Sequence, residues 1–143
     1  MDTNNIGIFG HSMGGGGAIQ CAFKNFEYFK SLSVFSPICS LYKSDFARLA
    51  LKNYFDNDAN AINSFDPIHL LKEQKSSFDT ILIDVGLDDE FIDDLFIDDF
   101  VIECEKVGQK IKLGKHPGFG HDYYFIHSFI KNHFDFHSNI LIQ

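Results

Sequence analysis

Ile6-Gly7-Ile8-Phe9-Gly10-His11-Ser12-Met13-Gly14-Gly15 decides the fold. Its first four residues form a short apolar run of β type. Gly10-His11-Ser12-Met13-Gly14 then supplies a Gly-X-Ser-X-Gly signature, and a helix-compatible stretch follows at once. A strand that turns this sharply into a helix holds the residue at its tip in a strained backbone conformation. Only small neighbours fit around such a tip, and Gly10 and Gly14 stand two residues to either side of Ser12. The elbow lifts the Ser12 hydroxyl above the sheet edge. It also aims the first helical amides at the place where an oxyanion would form. Ser12 is the candidate nucleophile. The plain alternative is a structural glycine-rich turn, and the flanking strand and helix weigh against it.

The rest of the chain bounds the chemistry. Its 143 residues amount to one domain or part of one. With 45% hydrophobic residues and 17 Phe it carries the material of a real core and is not disordered. A formal net charge of -8 argues against nonspecific nucleic-acid or anionic-membrane partners, which need basic patches. No apolar run approaches a membrane span, and Met1-Asp2-Thr3-Asn4-Asn5 lacks the pattern of a signal peptide. Cys21, Cys39 and Cys104 are scattered and odd in number, which reads as free thiols in a reducing compartment, the cytoplasm.

Strand and helix patterns alternate along the chain. Ile6–Phe9 reads as a buried strand. Gly14–Phe29 reads as a helix with Ala18, Ile19, Ala22, Phe23 and Phe26 at helical spacing. Leu32–Phe35 is a second strand, closed by Ser36-Pro37. Asp45–Tyr54 and Pro67–Leu71 read as short helices around a polar, Asn/Asp-rich connection. Thr80–Val85 is the clearest strand, stopped by Gly86. Asp93–Val107 reads as a helix whose acidic start suits the helix dipole, ended by Gly108. Ile111–Leu113 is a weak strand, and Tyr123–Asp135 an aromatic-rich final helix. This pattern predicts an α/β class fold: a mostly parallel sheet with helices on both faces. Sites in such sheets lie beyond the carboxyl ends of the strands. Ser12, the Asp88-Asp89 pair and Gly118-Phe119-Gly120-His121 all fall there, on one rim.

A serine hydroxyl is a poor nucleophile near neutrality, so an imidazole must take its proton and a carboxylate must orient that imidazole. Asp88, Asp89 and Glu90 compete for the acid role, and spacing leaves the choice open. Asp84 lies inside a strand and reads as structural. The acidic run lacks the spacing of a calcium loop, and no histidine and cysteine pair has zinc-ligand spacing, so no metal is expected. Of seven histidines, His121 stands out in the loop before the final helix, with His116 as the alternative base. His11 reads as a shaper of the elbow surface. His69, His127, His133 and His137 read as polar helix faces or hydrogen-bonded, half-buried positions. The order Ser, Asp, His is the one expected for the triad of an α/β-hydrolase.

Four collinear stretches carry a closer resemblance: Ile8-Phe9-Gly10-His11-Ser12-Met13-Gly14-Gly15, Phe35-Ser36-Pro37-Ile38-Cys39, Asp79-Thr80-Ile81-Leu82-Ile83-Asp84 continuing to Gly86-Leu87-Asp88-Asp89-Glu90-Phe91, and Gly120-His121-Asp122-Tyr123-Tyr124-Phe125-Ile126. Together they resemble the S-formylglutathione hydrolase (esterase D) family. The resemblance implies that Ser12 is the nucleophile, His121 the base and Asp89, rather than Asp88, the acid. It implies a cofactor-free cytoplasmic thioesterase that converts S-formylglutathione to glutathione and formate in formaldehyde catabolism. It also implies activity on short activated carboxyl esters and a homodimer for the full-length protein. Gly16 stands where the family has a histidine, Gly120 differs before His121, and Tyr42 lies near the place of an expected tryptophan. These departures bear on substrate preference more than on reaction class.

A whole domain of this type runs to about 200–250 residues or more. The resemblance therefore casts residues 1–143 as the C-terminal part of a single α/β-hydrolase domain, which has the Met13 backbone amide of the expected oxyanion pair but not the N-terminal half that supplies the second donor. Two other readings follow: a general short-chain carboxylesterase of the same fold, and a catalytically impaired fragment that serves as a binding module.

Overall fold

The computed structural model describes residues 5–55, 58–74 and 78–142. The reading of Met1–Asn4 and residues 56–57 of the Asn/Asp-rich connection lie outside them. Four parallel strands form one sheet in the sequential order β1-β2-β3-β4. They are β1 (Ile6–His11), β2 (Phe29–Phe35), β3 (Ile81–Gly86) and β4 (Ile111–His116). The helices are α1 (Met13–Lys24), α2 (Asp45–Phe55), α3 (Ala59–Asn63), α4 (Pro67–Gln74), α5 (Ile92–Leu95), α6 (Ile97–Val107) and α7 (Tyr123–Leu141). This is the expected α/β architecture.

Side-chain alternation along each strand gives the sheet two different faces. Ile8, Leu32, Val34, Ile81, Ile83, Val85, Ile111 and Leu113 point to one side. There they join Ala18, Ile19, Ala22 and Phe23 of α1 and Phe100 and Cys104 of α6 in the main apolar core. A fully buried side chain of this kind contributes about 1.5–3 kcal/mol. The opposite face presents Ser31, Ser33, Phe35 and Asp84 to α7, whose Phe125, His133 and His137 cover them. Strand β3 is buried along its whole length, as befits a strand covered on both faces.

Several boundaries differ from the sequence reading. Helix α1 stops at Lys24, where Asn25 caps it through its backbone N–H, and Phe29 opens β2 instead. Phe26, assigned to the helix's apolar stripe, is exposed. The single helix expected over Asp93–Val107 is two helices, parted by Phe96 in the left-handed region at φ 54°. Strand β4 runs on to His116 and α7 to Leu141, both beyond their expected ends. Strand β1, expected to be buried, is an edge of this sheet, and Phe9 is 45% exposed.

Candidate active site

Three strand ends build the site. Ser12 directly follows β1, Asp89 lies in the turn after β3, and His121 sits in the loop between β4 and α7. Ser12 has φ 57° and ψ -123°, an unfavourable conformation for a side-chain-bearing residue. Its backbone is held from several sides. The Ser12 N–H donates to Phe35 O at 3.0 Å, and its carbonyl accepts from Gly16 N at 3.0 Å and Ile38 N at 3.1 Å. A Cβ at Gly10 would lie 2.2 Å from Gly14 O, so glycine at 10 is what lets the elbow close. Gly14 differs from expectation: a Cβ there would meet nothing within 4 Å. The tight fit rests on Gly10 alone of the two.

Ser12 Oγ lies 2.7 Å from His121 Nε2, and His121 Nδ1 lies 2.7 Å from Asp89 Oδ2. A carboxylate only accepts, so the Nδ1–H donates to Asp89 and Nε2 is left to accept the serine proton. Asp89 is 3% exposed, and its other oxygen accepts the Phe91 N–H at 2.8 Å. Asp88 and Glu90 turn to solvent. His116 does not enter this chain; its imidazole lies at Asp84 instead. The His121 ring is flanked by His11 at 4.4 Å and by the edge of Phe91 at 5.1 Å between centroids. Burial, and then the nearness of His121, hold His11 below the ordinary imidazole pKa despite the opposing charge of Asp89. The Met13 amide opens α1, in the turn whose N–H groups have no partner within the helix.

A cavity of about 200 Å³ opens beside Ser12 and His121, walled by Ile38, Phe46, Phe91, Asp94 and Leu95. Phe46, Asp94 and Leu95 escaped the sequence reading. The acidic start of the Asp93–Val107 stretch suits its own helix dipole, but the Asp94 carboxylate serves a neighbouring helix. It accepts from Ser44 Oγ at 2.7 Å, Asp45 N at 2.8 Å and Phe46 N at 3.1 Å, so it caps α2 and fixes Phe46 at the cavity wall. Partial burial opposes its charge, but these donors and Arg48 hold its carboxyl below the usual range. Nothing local in the sequence announces a cap donated by a residue so far along the chain.

The site is a serine, an imidazole and a carboxylate in a hydrogen-bonded row at the mouth of an apolar recess. Comparisons with known proteins show the family. The Esterase family model, described as "Putative esterase", matches residues 1–136. S-formylglutathione hydrolase from Arabidopsis thaliana is 37% identical over 142 residues, covering 99% of this chain and 50% of its own. The Mus musculus enzyme of the same name is 36% identical over 143 residues, covering 99% and 51%. The chain thus spans about half the length of the curated relatives it matches. The solved structure of an S-formylglutathione hydrolase from Agrobacterium tumefaciens superposes with a TM-score of 0.92 at 35% identity, over 98% of this chain and 50% of that one. The chain belongs to the esterase family, with the α/β-hydrolase fold and S-formylglutathione hydrolases among its relatives.

Proposed function

We propose that the chain is the C-terminal, catalytic part of an α/β-hydrolase domain that hydrolyses S-formylglutathione to glutathione and formate. The observation that carries this reading is the unbroken row from Ser12 through His121 to Asp89. Ser12 Oγ attacks the acyl carbon while His121 Nε2 takes its proton. Asp89 holds the imidazole in register and stabilises its cationic form. The Met13 N–H, at the positive end of α1, steadies the oxyanion of the tetrahedral intermediate. Collapse expels the thiolate, which takes the proton from His121 and leaves as glutathione. Water, deprotonated by His121, then attacks the acyl-enzyme, and formate departs as Ser12 recovers its proton. No cofactor takes part in any of these steps. Small thioesters suit the site, since a thiolate leaves more readily than an alkoxide. The relatives' names support this substrate, the free thiols of Cys39 and Cys104 suit a cytoplasmic setting, and a homodimer belongs to the same reading.

The recess favours a second reading. Its Ile38, Phe46, Phe91 and Leu95 walls offer apolar surface that a formyl group does not use. A short-chain carboxylesterase would fill it with a two- to four-carbon acyl group. Comparing kcat/KM for S-formylglutathione with acetyl, butyryl and longer acyl esters separates the two. The thioester should lead; a clear optimum at a longer acyl chain would transfer the assignment to the esterase.

A further inference from the structure

The loop of residues 117–122 carries His121 from β4 to α7, and both of these elements meet one buried carboxylate. Asp84 lies in β3 on the face that α7 covers, and is 5% exposed. Its Oδ1 lies 3.2 Å from Nε2 of His116, the last residue of β4 before the loop, an ion-pair contact outside hydrogen-bond geometry. Its Oδ2 lies 3.2 Å from Nε2 of His133, roughly three turns into α7 beyond the loop. A Cβ at Gly114 would fall 2.0 Å from Asp84 Oδ1, so the carboxylate keeps its place only because β4 has glycine there.

The two imidazoles are themselves pinned. His133 Nδ1 is 2.8 Å from Ser33 Oγ, and its ring stacks on Phe35 at 3.7 Å. The His116 ring lies 3.7 Å from that of Phe129 and 5.8 Å from that of Phe125, both on α7. Burial opposes the ionised form of Asp84, but His133 and His116 outweigh it and hold the carboxyl below its ordinary range. The same floor seats the nucleophile, because the carbonyl of Phe35 accepts the Ser12 N–H.

Resting on the hydrolase reading above, we propose that Asp84 is a positioning residue for His121: by binding His116 and His133 it ties the end of β4 and the body of α7, which flank the 117–122 loop, to the strands that seat Ser12. Asp84 touches no reacting atom. It sets the distance between Ser12 Oγ and His121 Nε2 through the two histidines.

The test is the rate constant and final stoichiometry of Ser12 phosphonylation by a fluorophosphonate, for the unmodified chain, Asp84→Asn and His116→Gln. It is paired with the water exchange of the His121 Nδ1 proton, followed by NMR in histidine-labelled protein. In Asp84→Asn the final stoichiometry should hold at one per chain while the rate constant falls roughly 10- to 100-fold, the order expected when a catalytic pair is displaced by about 1 Å. His116→Gln should fall by a smaller factor, and in both variants the Nδ1 proton should exchange faster. A merely structural role would lower the labelled fraction and leave the rate of the folded fraction alone. If Asp84→Asn gives no cooperative melt, His116→Gln decides. Unchanged rate constants and unchanged exchange overturn the inference. If the unmodified chain does not label at Ser12, the hydrolase reading fails, and the exchange measurement alone decides the positioning.

Discussion

Ser12 sits on a backbone that no local preference favours, held there by three hydrogen bonds and by the absence of a side chain at Gly10. Strain at such a point has a function only if the hydroxyl it presents is used. Ser12→Ala should therefore remove turnover by roughly 10³-fold or more while leaving the melting transition in place. The acid position offers a sharper contrast. Asp89 is buried against His121 and Asp88 is in solvent, although the two are adjacent and chemically identical. Asp89→Asn should cost orders of magnitude in kcat, and Asp88→Asn little; steady-state kinetics on both variants checks the order. Spacing could not separate this pair. The side of the turn on which a carboxylate falls depends on the whole β3–α5 path, and only the family resemblance pointed to Asp89.

Among the elements, α7 shows where sequence reading runs short. Its aromatic-rich pattern was legible as far as Asp135, but the helix continues to Leu141, and His137 in this extension is buried, not solvated. His137 Nδ1 lies 2.6 Å from Ser31 Oγ and its Nε2 2.7 Å from Ser33 Oγ, with Phe9, Phe136 and His133 around the ring. Two serines of a strand and two histidines of a helix a hundred or more residues away leave no local signal. The break at Phe96 was illegible for a similar reason, since that residue has no propensity for the left-handed conformation it adopts. Burial, with His133 adding, lowers the His137 pKa to about 4. The folded state thus resists a proton that the unfolded state takes up near pH 6.5. This contribution is fully present above about pH 6.5 and is lost as the pH falls toward 4, at up to about 1.4 kcal/mol per unit. His11, also lowered, adds with the same sign. Urea melts between pH 4 and 7 should show the slope, and His137→Gln should flatten it; an unchanged slope in that variant would remove His137 from the account.

At the scale of the whole molecule, the alternation of strand and helix was legible because periodicity reports burial directly. The open edge follows from the family resemblance rather than from periodicity: β1 has the apolar run of a buried strand yet pairs only with β2 among the described residues. Its Phe9 is exposed and meets Phe134 of α7 edge-on at 5.8 Å, leaving an aromatic ridge beside unpaired strand backbone. Such an edge invites pairing with another chain. The 143-residue chain should self-associate in sedimentation experiments, and Phe9→Lys should shift it toward monomer; an unmodified chain that stays monomeric would speak against an open edge. The proposed function depends on the row of three side chains at the carboxyl ends of the strands. The most direct test is covalent labelling with a fluorophosphonate followed by peptide mapping. The account predicts one adduct per chain, on Ser12, absent in Ser12→Ala and strongly slowed in His121→Ala. An adduct on another residue, or Ser12 labelling that is indifferent to the loss of His121, would contradict it.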